Sequence, residues 1–153
     1  MTETPALGDP RLEDLDYEMV VHGPVGSLEE AAAARGVTPA QVIKTMVVRR
    51  SEDDYVFVLV PGDRVISWPK LRRHLHESRL SMPEADDAQR VTGYARGTIT
   101  PFGSIRRLPV LADESITGQV SIGGGAHGVS LKVRADQLVE VLGAEVADIT
   151  ESV

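Results

Sequence analysis

Lys44 is the residue whose type and position most suggest chemistry. It lies in QVIKTMVVRR, residues 41–50, among apolar and β-branched neighbours, and lysine is scarce in this chain: Lys44, Lys70 and Lys132 stand against thirteen arginines. A partly buried ammonium supplies a compact positive charge whose desolvation must be offset by an anion or a polarised oxygen. Lys44 is therefore either a ligand for such a group or a residue whose stem packs on a sheet while its ammonium reaches water.

Two glycine-rich segments could form a pocket with this lysine. Residues 92–110 contain three glycines and two prolines and show little helical periodicity, which predicts a structured loop. The sequence IGGGAHG at residues 122–128 predicts a second loop. Glycines let a backbone approach a ligand closely, and free N–H groups can then face a phosphate or an oxyanion. The combination favours chemistry on a phosphate or an ester.

Other common catalytic arrangements are missing from the sequence. It has no cysteine, no serine in a G-x-S-x-G motif and no G-x-x-x-x-G-K-[ST] phosphate-binding loop. His74 and His76 stand two residues apart on a predicted helix, which separates them by about 200° around its axis, so they cannot share a metal ion there. The sequence thus predicts neither a metal site nor a cofactor.

Length and composition predict a cytoplasmic protein with no membrane partner. A chain of 153 residues can bury roughly 70% of the surface that its unfolded form exposes. No apolar stretch approaches the roughly 20 residues that span a bilayer, and the acidic N-terminus has the pattern of neither a secretory signal nor a transit peptide. Residues 1–16, with prolines and glycine among acids, predict a flexible or loosely packed tail before a single domain at residues 17–153.

The net charge of −7 argues against a DNA partner, because nucleic-acid binding draws on lysine and arginine at phosphates. The acidity is concentrated at the ends of the chain: residues 1–16 hold five acids and one base, and residues 136–153 hold five acids and no base. Within residues 88–134, six basic residues stand against two acids. This stretch could face phosphate locally, or it could be an ordinary solvated surface.

Secondary-structure signals predict an α+β fold. Strands are predicted in YEMVV, VIKTMVVRR, DDYVFVLVP, LPVLAD, GQVSIG and HGVSLKV, with the second and third forming a hairpin. Helices are predicted in SLEEAAAAR between Ser27 and Gly36, in WPKLRRHL after Ser67, and in MPEADDAQRV. The segment RADQLVEVLGAEVADIT predicts a helix and a last strand. We expect a mixed, mostly antiparallel, barrel-like sheet flanked by helices.

The order of the motifs resembles the YbaK/EbsC family of trans-editing aminoacyl-tRNA deacylases, which is related to the editing insertion domain of bacterial prolyl-tRNA synthetase. The segments that carry the resemblance are SLEEAA, QVIKTMVV, VFVLVPGDRVI, TGYARGTITPFG, LPVLADESI, VSIGGGAHGVSLKV and DQLVEVLGAEVADI. The resemblance implies the family's editing-domain fold, a mixed, barrel-like sheet with surrounding helices. It also implies hydrolysis of the ester bond of mischarged aminoacyl-tRNA, with alanine or cysteine on tRNA for proline as the leading substrates.

The resemblance also implies site residues and partners. Lys44 matches the family's motif lysine, which is expected to hold the phosphate of the terminal adenosine or the aminoacyl group. Whether this lysine is catalytic or only binds the substrate stays open. A positioned water or a substrate group would attack the ester while backbone amides stabilise the oxyanion. The partners implied are the acceptor end of aminoacyl-tRNA and, transiently, prolyl-tRNA synthetase or an elongation factor. Substrate contacts are implied for Thr45, Gly97, Thr98, Ile99, Pro101, Phe102, Gly103, Gly123, Gly124, Gly125 and His127.

Departures from the family pattern leave the amino-acid specificity open. Members that act on cysteinyl-tRNA tend to carry Ser-Gly-Gly, then a basic pair and an Asp, where this chain has Gly123, then Ala126 and His127, and Ser130. His127 could line the pocket or be an exposed turn residue. Asp113 matches a recurrent family acid, or it caps a turn or pairs with an arginine.

Two other functions stay open on the residues alone. A non-catalytic module could use the same pocket to bind a tRNA acceptor end, a nucleotide or a protein partner. A small-molecule ester hydrolase is the third possibility.

Overall fold

A mixed β-sheet with flanking helices forms the centre of the fold in the computed structural model, which describes residues 3–153. The strands are β1 (Tyr17–Val21), β2 (Val42–Ser51), β3 (Asp54–Pro61), β4 (Arg64–Ile66), β5 (Val110–Asp113), β6 (Gln119–Gly123), β7 (Val129–Arg134), β8 (Glu145–Ala147) and β9 (Thr150–Ser152). The helices are α1 (Leu28–Arg35), α2 (Trp68–Leu75), α3 (Ala85–Thr92) and α4 (Ala135–Leu142). No helix within residues 3–153 is long and apolar enough to cross a membrane.

Seven strands form the main sheet in the order β1-β7-β6-β2-β3-β5-β8, and β4 pairs with β9 in a separate two-stranded sheet. The β1–β7, β6–β7 and β2–β3 pairs are antiparallel, whereas β2–β6, β3–β5 and β5–β8 are parallel. The antiparallel β2–β3 hairpin is the longest ladder and lies at the centre. The prediction of an α+β fold with a mixed sheet and flanking helices is confirmed.

The helix ends follow the signals in the sequence. The Ser27 hydroxyl accepts a hydrogen bond from the Glu30 N–H at 3.1 Å, and Gly36 ends α1 in the left-handed conformation. Ser67 caps α2 in the same way through the Lys70 N–H. Both helices therefore begin and end where the sequence predicts.

Two apolar clusters cover the two faces of the central hairpin. Alternate residues of a strand face opposite sides of a sheet, and β2 places Ile43 and Val47 in the larger cluster but Val48 in the smaller one. Every residue of β3 after Asp54 is buried, as expected of a strand covered on both faces. Since Thr45 lies between Ile43 and Val47, it faces the larger cluster, and Lys44 faces the opposite side.

The N-terminal segment is packed, which differs from the predicted loose tail. It forms two short 3₁₀ helices, Ala6–Gly8 and Pro10–Asp14. Ala6, Leu12 and Leu15 are buried within the larger cluster. Most of the acids that suggested a tail are exposed, whereas Asp9 is buried. The division at residue 16 is therefore not supported by the packing.

Asp113 organises the end of the chain, where the sequence predicted one strand and the structure has β8 and β9. Its buried carboxylate accepts hydrogen bonds from the N–H and hydroxyl of Ser115 and from the Ile149 N–H at 3.1 Å. Burial alone would raise the pKa of Asp113, but these hydrogen bonds lower it overall. Asp113 thus caps a turn, which is one of the roles that the sequence left open for it. It also fixes the link between β8 and β9.

Replacing Asp113 tests this structural role. Asp113→Asn removes a buried acceptor, so we expect the free energy of unfolding to fall by about 1–3 kcal/mol in urea denaturation. Glu114→Gln is the matched control, because the neighbouring Glu114 is exposed and loses the same charge. Equal unfolding free energies for the two variants would contradict the role.

Candidate functional site

A row of three residues crosses neighbouring strands at one end of the sheet. Strand β2 runs parallel to β6 with Ile43 beside Ile122. Continued by one residue, this register places Lys44 beside Gly123. The antiparallel pairing of β6 with β7 then places Gly123 beside Ser130. Residues side by side on neighbouring strands project from the same face, so Lys44 and Ser130 flank a position without a side chain.

This position is an open space, which we call the Gly123 gap. A Cβ placed on Gly123 would lie 3.9 Å from the carbonyl oxygen of Ile99 in the first glycine-rich loop. Lys44 and Ser130 are separated by two strand spacings, or roughly 10 Å. Ser130 is fully buried, yet its hydroxyl has no hydrogen-bond partner within residues 3–153. The gap is therefore bordered by the stem of Lys44, by the Ser130 hydroxyl and by a backbone carbonyl.

The ammonium of Lys44 is half-buried and only partly satisfied. Its Nζ donates to the backbone carbonyl of Arg64 in β4 at 2.9 Å. An ammonium has three N–H donors, so two remain for a ligand. Burial lowers the pKa of Lys44, and the Asp63 carboxylate partly offsets this effect. Because Arg64 lies on the β3 side of β2, Nζ would reach the Gly123 gap only after rotation of its side chain.

Two further cations face the same side of the sheet and were not singled out as site residues from the sequence. Arg35, at the end of α1, donates from Nη1 to the Ser121 hydroxyl at 3.4 Å, while its buried Nε has no partner among the described residues. Burial lowers the pKa of Arg35. Lys132 lies on β7 beside Ser121 of β6, and its ammonium approaches the end of α1 at Gly36. In the sequence, Arg35 and Gly36 are explained by their position at the end of a helix. Nothing in the sequence indicates that this helix end lies near Lys44.

Acidic residues lie near two of the three cations of this face, Glu18 beside Lys132 on β1 and Asp63 near Lys44, but at no close ion-pair distance. Within residues 3–153, none of Arg35, Lys44 and Lys132 forms an ion pair with a carboxylate. Partly buried cations that form no close ion pair favour binding of an anion or a polarised oxygen, which would compensate their lost hydration. The arrangement therefore suits a ligand that carries a phosphate or an ester carbonyl.

The two glycine-rich loops meet each other as the sequence predicted. A Cβ on Gly97 would lie 3.3 Å from Cε1 of His127, which places the tips of the loops in contact. His127 is exposed, so its ring lies at the rim. The N–H groups of Gly97, Ile99 and Gly125 donate to no acceptor among residues 3–153, which leaves them available to a ligand.

Several predicted contact residues lie elsewhere or are already engaged. The Thr45 side chain faces the larger apolar cluster, on the opposite side of β2 from Lys44, and its buried hydroxyl has no partner among the described residues. Thr98 bonds the Ala95 carbonyl through both its N–H and its hydroxyl. The Phe102 ring is fully buried in the core. Gly124 donates its N–H to the Val129 carbonyl at 2.8 Å. Their assignment as substrate contacts stays a prediction.

The N-terminal segment holds the first glycine-rich loop in place. The buried Asp9 carboxylate accepts from the Gly103 N–H at 2.8 Å and from the Arg11 side chain at 2.7 Å. Arg11 in turn donates to the Pro101 carbonyl at 3.1 Å and lies over the Phe102 ring. Gly103 has φ +70°, and a Cβ there would collide with the carbonyl group of Pro5. We call this set of contacts the N-terminal clamp.

The clamp also reaches the second loop. The Thr4 hydroxyl donates to the Gly124 carbonyl at 2.6 Å. From inside the core, the Tyr94 hydroxyl donates to the Phe102 carbonyl at 2.7 Å, and burial raises the pKa of Tyr94 to about 12. Both loops that border the site are thus tied to residues 4–11, which the sequence predicts to lie outside the domain.

The clamp predicts a specific acid sensitivity. Burial alone would raise the pKa of Asp9, but hydrogen bonds from Arg11 and Gly103 lower it from 3.8 to about 2. A carboxyl group whose pKa is lower in the folded than in the unfolded state stabilises the fold at pH values above its unfolded-state pKa. This stabilisation is lost as the pH falls towards the folded-state pKa. We expect Asp9→Asn to lower the free energy of unfolding by about 2 kcal/mol above pH 5, with the difference from the parent vanishing near pH 2.

Urea denaturation at a series of pH values measures this difference. Asp14→Asn is the matched control, since Asp14 is an exposed acid of the same segment. A pH-independent difference, or one no larger than that of Asp14→Asn, would contradict the clamp.

Comparison with known proteins agrees with this geometry. The chain is 33% identical over 127 residues to a proline–tRNA ligase of Desulforamulus reducens, covering 82% of this chain but only 22% of that enzyme. It is 24% identical over 126 residues to EbsC of Enterococcus faecalis, described as a candidate Cys-tRNA(Pro)/Cys-tRNA(Cys) deacylase, with 81% of this chain and 77% of that protein covered. This chain therefore spans about a fifth of the ligase and most of EbsC.

A solved structure described as a candidate trans-editing enzyme for prolyl-tRNA synthetase has the same fold. Its TM-score is 0.85 at 24% identity, over 99% of this chain and all of the other. The family model for the aminoacyl-tRNA editing domain matches residues 22–141, which contain Lys44, both glycine-rich loops and Ser130. This confirms the resemblance seen in the sequence, and the chain belongs to the aminoacyl-tRNA editing domain family.

Proposed function

We propose that this protein hydrolyses the ester bond of mischarged aminoacyl-tRNA, with alanine or cysteine on tRNA for proline as the first candidate substrates. Membership of the editing-domain family supports the reaction class. One observation carries the assignment of the site: a half-buried lysine that forms no close ion pair within residues 3–153 stands beside the Gly123 gap. The gap offers an aminoacyl group a place between Lys44 and Ser130.

The reaction adds the oxygen of water to the carbonyl carbon of the ester. The bond between that carbon and the ribose oxygen then breaks, and the ribose oxygen takes the proton that water gives up. Lys44 would hold the phosphate of the terminal adenosine or the ester carbonyl oxygen. Free N–H groups of the loops would bind the oxyanion, a role in which one lost donor typically lowers kcat by about 10²–10³.

The free space at the Cβ position of Gly123 suits a small amino acid, because a Cβ there meets only the Ile99 carbonyl within 4 Å. Only the missing side chain of Gly123 separates Lys44 from Ser130, and the Ile99 carbonyl lies above it. An alanine or cysteine side chain needs little more space than this. Selection against the correct aminoacyl group would then follow from exclusion of the larger proline ring. A transient complex with prolyl-tRNA synthetase or an elongation factor stays a prediction.

A deacylation assay tests the proposal. Purified protein should release alanine or cysteine from mischarged tRNA for proline and leave prolyl-tRNA intact. Lys44→Met keeps the apolar stem but removes the charge, so we expect kcat to fall about 100-fold or more. Lys70→Met is the matched control, because the Lys70 ammonium is already paired with the Asp148 carboxylate.

Full activity of Lys44→Met would remove Lys44 from the mechanism. Hydrolysis of prolyl-tRNA as fast as alanyl-tRNA would contradict the editing function. Binding of mischarged tRNA without any release of amino acid would favour a non-catalytic module instead. Unfolding curves of both variants check that neither result reflects loss of the fold.

A further inference from the structure

A second cleft, lined mainly by arginines, lies at the opposite end of β2 from Lys44. Its volume is about 610 Å³, and it is distinct from the Gly123 gap. The side chains that line it are Arg49, Arg50, Arg72 and Arg79, together with Leu80 and three serines. The cleft therefore contains cations and hydroxyl groups but no carboxylate among its lining residues.

The fold builds this cleft from three separate segments. Beyond the two residues that pair with β6, the edge of β2 is free to pair with another segment. Ser81 takes this place: the Arg49 N–H donates to its carbonyl at 2.8 Å, and its own N–H donates to the Arg49 carbonyl at 3.1 Å. This pairing brings residues 78–81 beside β2 and opposite Arg72 at the end of α2.

The positive charge of the cleft is only partly compensated. Arg50 pairs with Glu77 at 3.1 Å and also donates to the Leu75 carbonyl at 3.4 Å. Its buried Nε has no partner within residues 3–153. Arg72 and Arg79 form no ion pair with any described carboxylate. In a chain of net charge −7, gathering four arginines around one cleft favours a polyanionic ligand over a solvated surface.

The lining matches the chemistry of a phosphodiester backbone. Arginine and serine are side chains that commonly bind phosphate oxygens and that fix the register of a nucleic acid without reading its sequence. Arg50 lies six residue steps along β2 from Lys44, a span of roughly 20 Å at 3.3 Å per residue. A stacked strand rises roughly 3.4 Å per nucleotide, so the cleft lies about six nucleotides from the ester site.

We infer that this arginine cleft binds the phosphate backbone of the tRNA acceptor stem while the aminoacyl group on the terminal adenosine occupies the Gly123 gap. The inference rests on the proposed function for its choice of nucleic acid. Strand β2 acts as the rigid connection, because it carries Lys44 at one end and Arg49 and Arg50 at the other. The contacts are to phosphates, so this cleft supplies affinity and register, and the terminal site supplies selectivity.

Equilibrium binding of uncharged tRNA for proline, measured at several salt concentrations, tests the cleft without requiring any hydrolysis. The double variant Arg72→Gln/Arg79→Gln removes the two arginines that form no ion pair within the described chain. We expect its Kd at 0.1 M salt to rise roughly tenfold or more, and the slope of log K against log salt to fall by about 2. The control Arg107→Gln/Arg134→Gln has the same charge change at exposed positions outside the cleft.

Each outcome tests the binding of tRNA by the cleft independently of the proposed hydrolytic function. A weakened, less salt-dependent complex in the cleft variant alone supports the inference, even if the protein proves unable to hydrolyse any aminoacyl-tRNA. Unchanged tRNA binding by a variant with unaltered melting temperature would overturn it, even if deacylation is confirmed. Binding of phosphatidylserine vesicles through the same arginines, with tRNA binding unaffected, would also overturn it.

Discussion

The register of β2 between β6 and β3 is the constraint on which the site depends. A strand that slips by one residue exchanges its two faces, so a slip of β2 would bury Lys44 in the larger apolar cluster and turn Thr45 towards Gly123. Such a slip is opposed by the cost of burying the Lys44 ammonium in the apolar cluster that contains Ile43 and Val47. The burial of that face of β2 therefore fixes the side on which Lys44 lies.

The glycine-rich loops need a separate support, because they contain little regular structure. The N-terminal clamp supplies it through Asp9 and Arg11, which bond the backbone of residues 101–103. The family match begins at residue 22, so the clamp lies outside the part of the chain that defines the family. This chain thus stabilises its loops with a segment that precedes the residues matched by the family model.

Local signals predicted most of the elements, whereas long-range contacts decided the rest. The capped helices, the β2–β3 hairpin and the two glycine-rich loops follow from residues that act on their immediate neighbours, such as Ser27, Ser67 and Gly36. The burial of Leu12 and Leu15, the position of Arg35 and the arginine cleft depend on pairings between distant segments. The opposite orientations of Lys44 and Thr45 follow from strand alternation, but only after the strand and its two covered faces are known.

The central claim is that an aminoacyl group occupies the gap over Gly123. Its most direct test is kcat/KM for deacylation of alanyl-tRNA by Gly123→Ala, since the new Cβ would fill the gap while lying at an ordinary 3.9 Å from its nearest neighbour, the Ile99 carbonyl. Gly23→Ala is the control, because a Cβ there meets nothing within 4 Å. The account predicts a fall of about tenfold or more in kcat/KM for Gly123→Ala alone, with stability unchanged. Parent-level deacylation by a folded Gly123→Ala protein would contradict it.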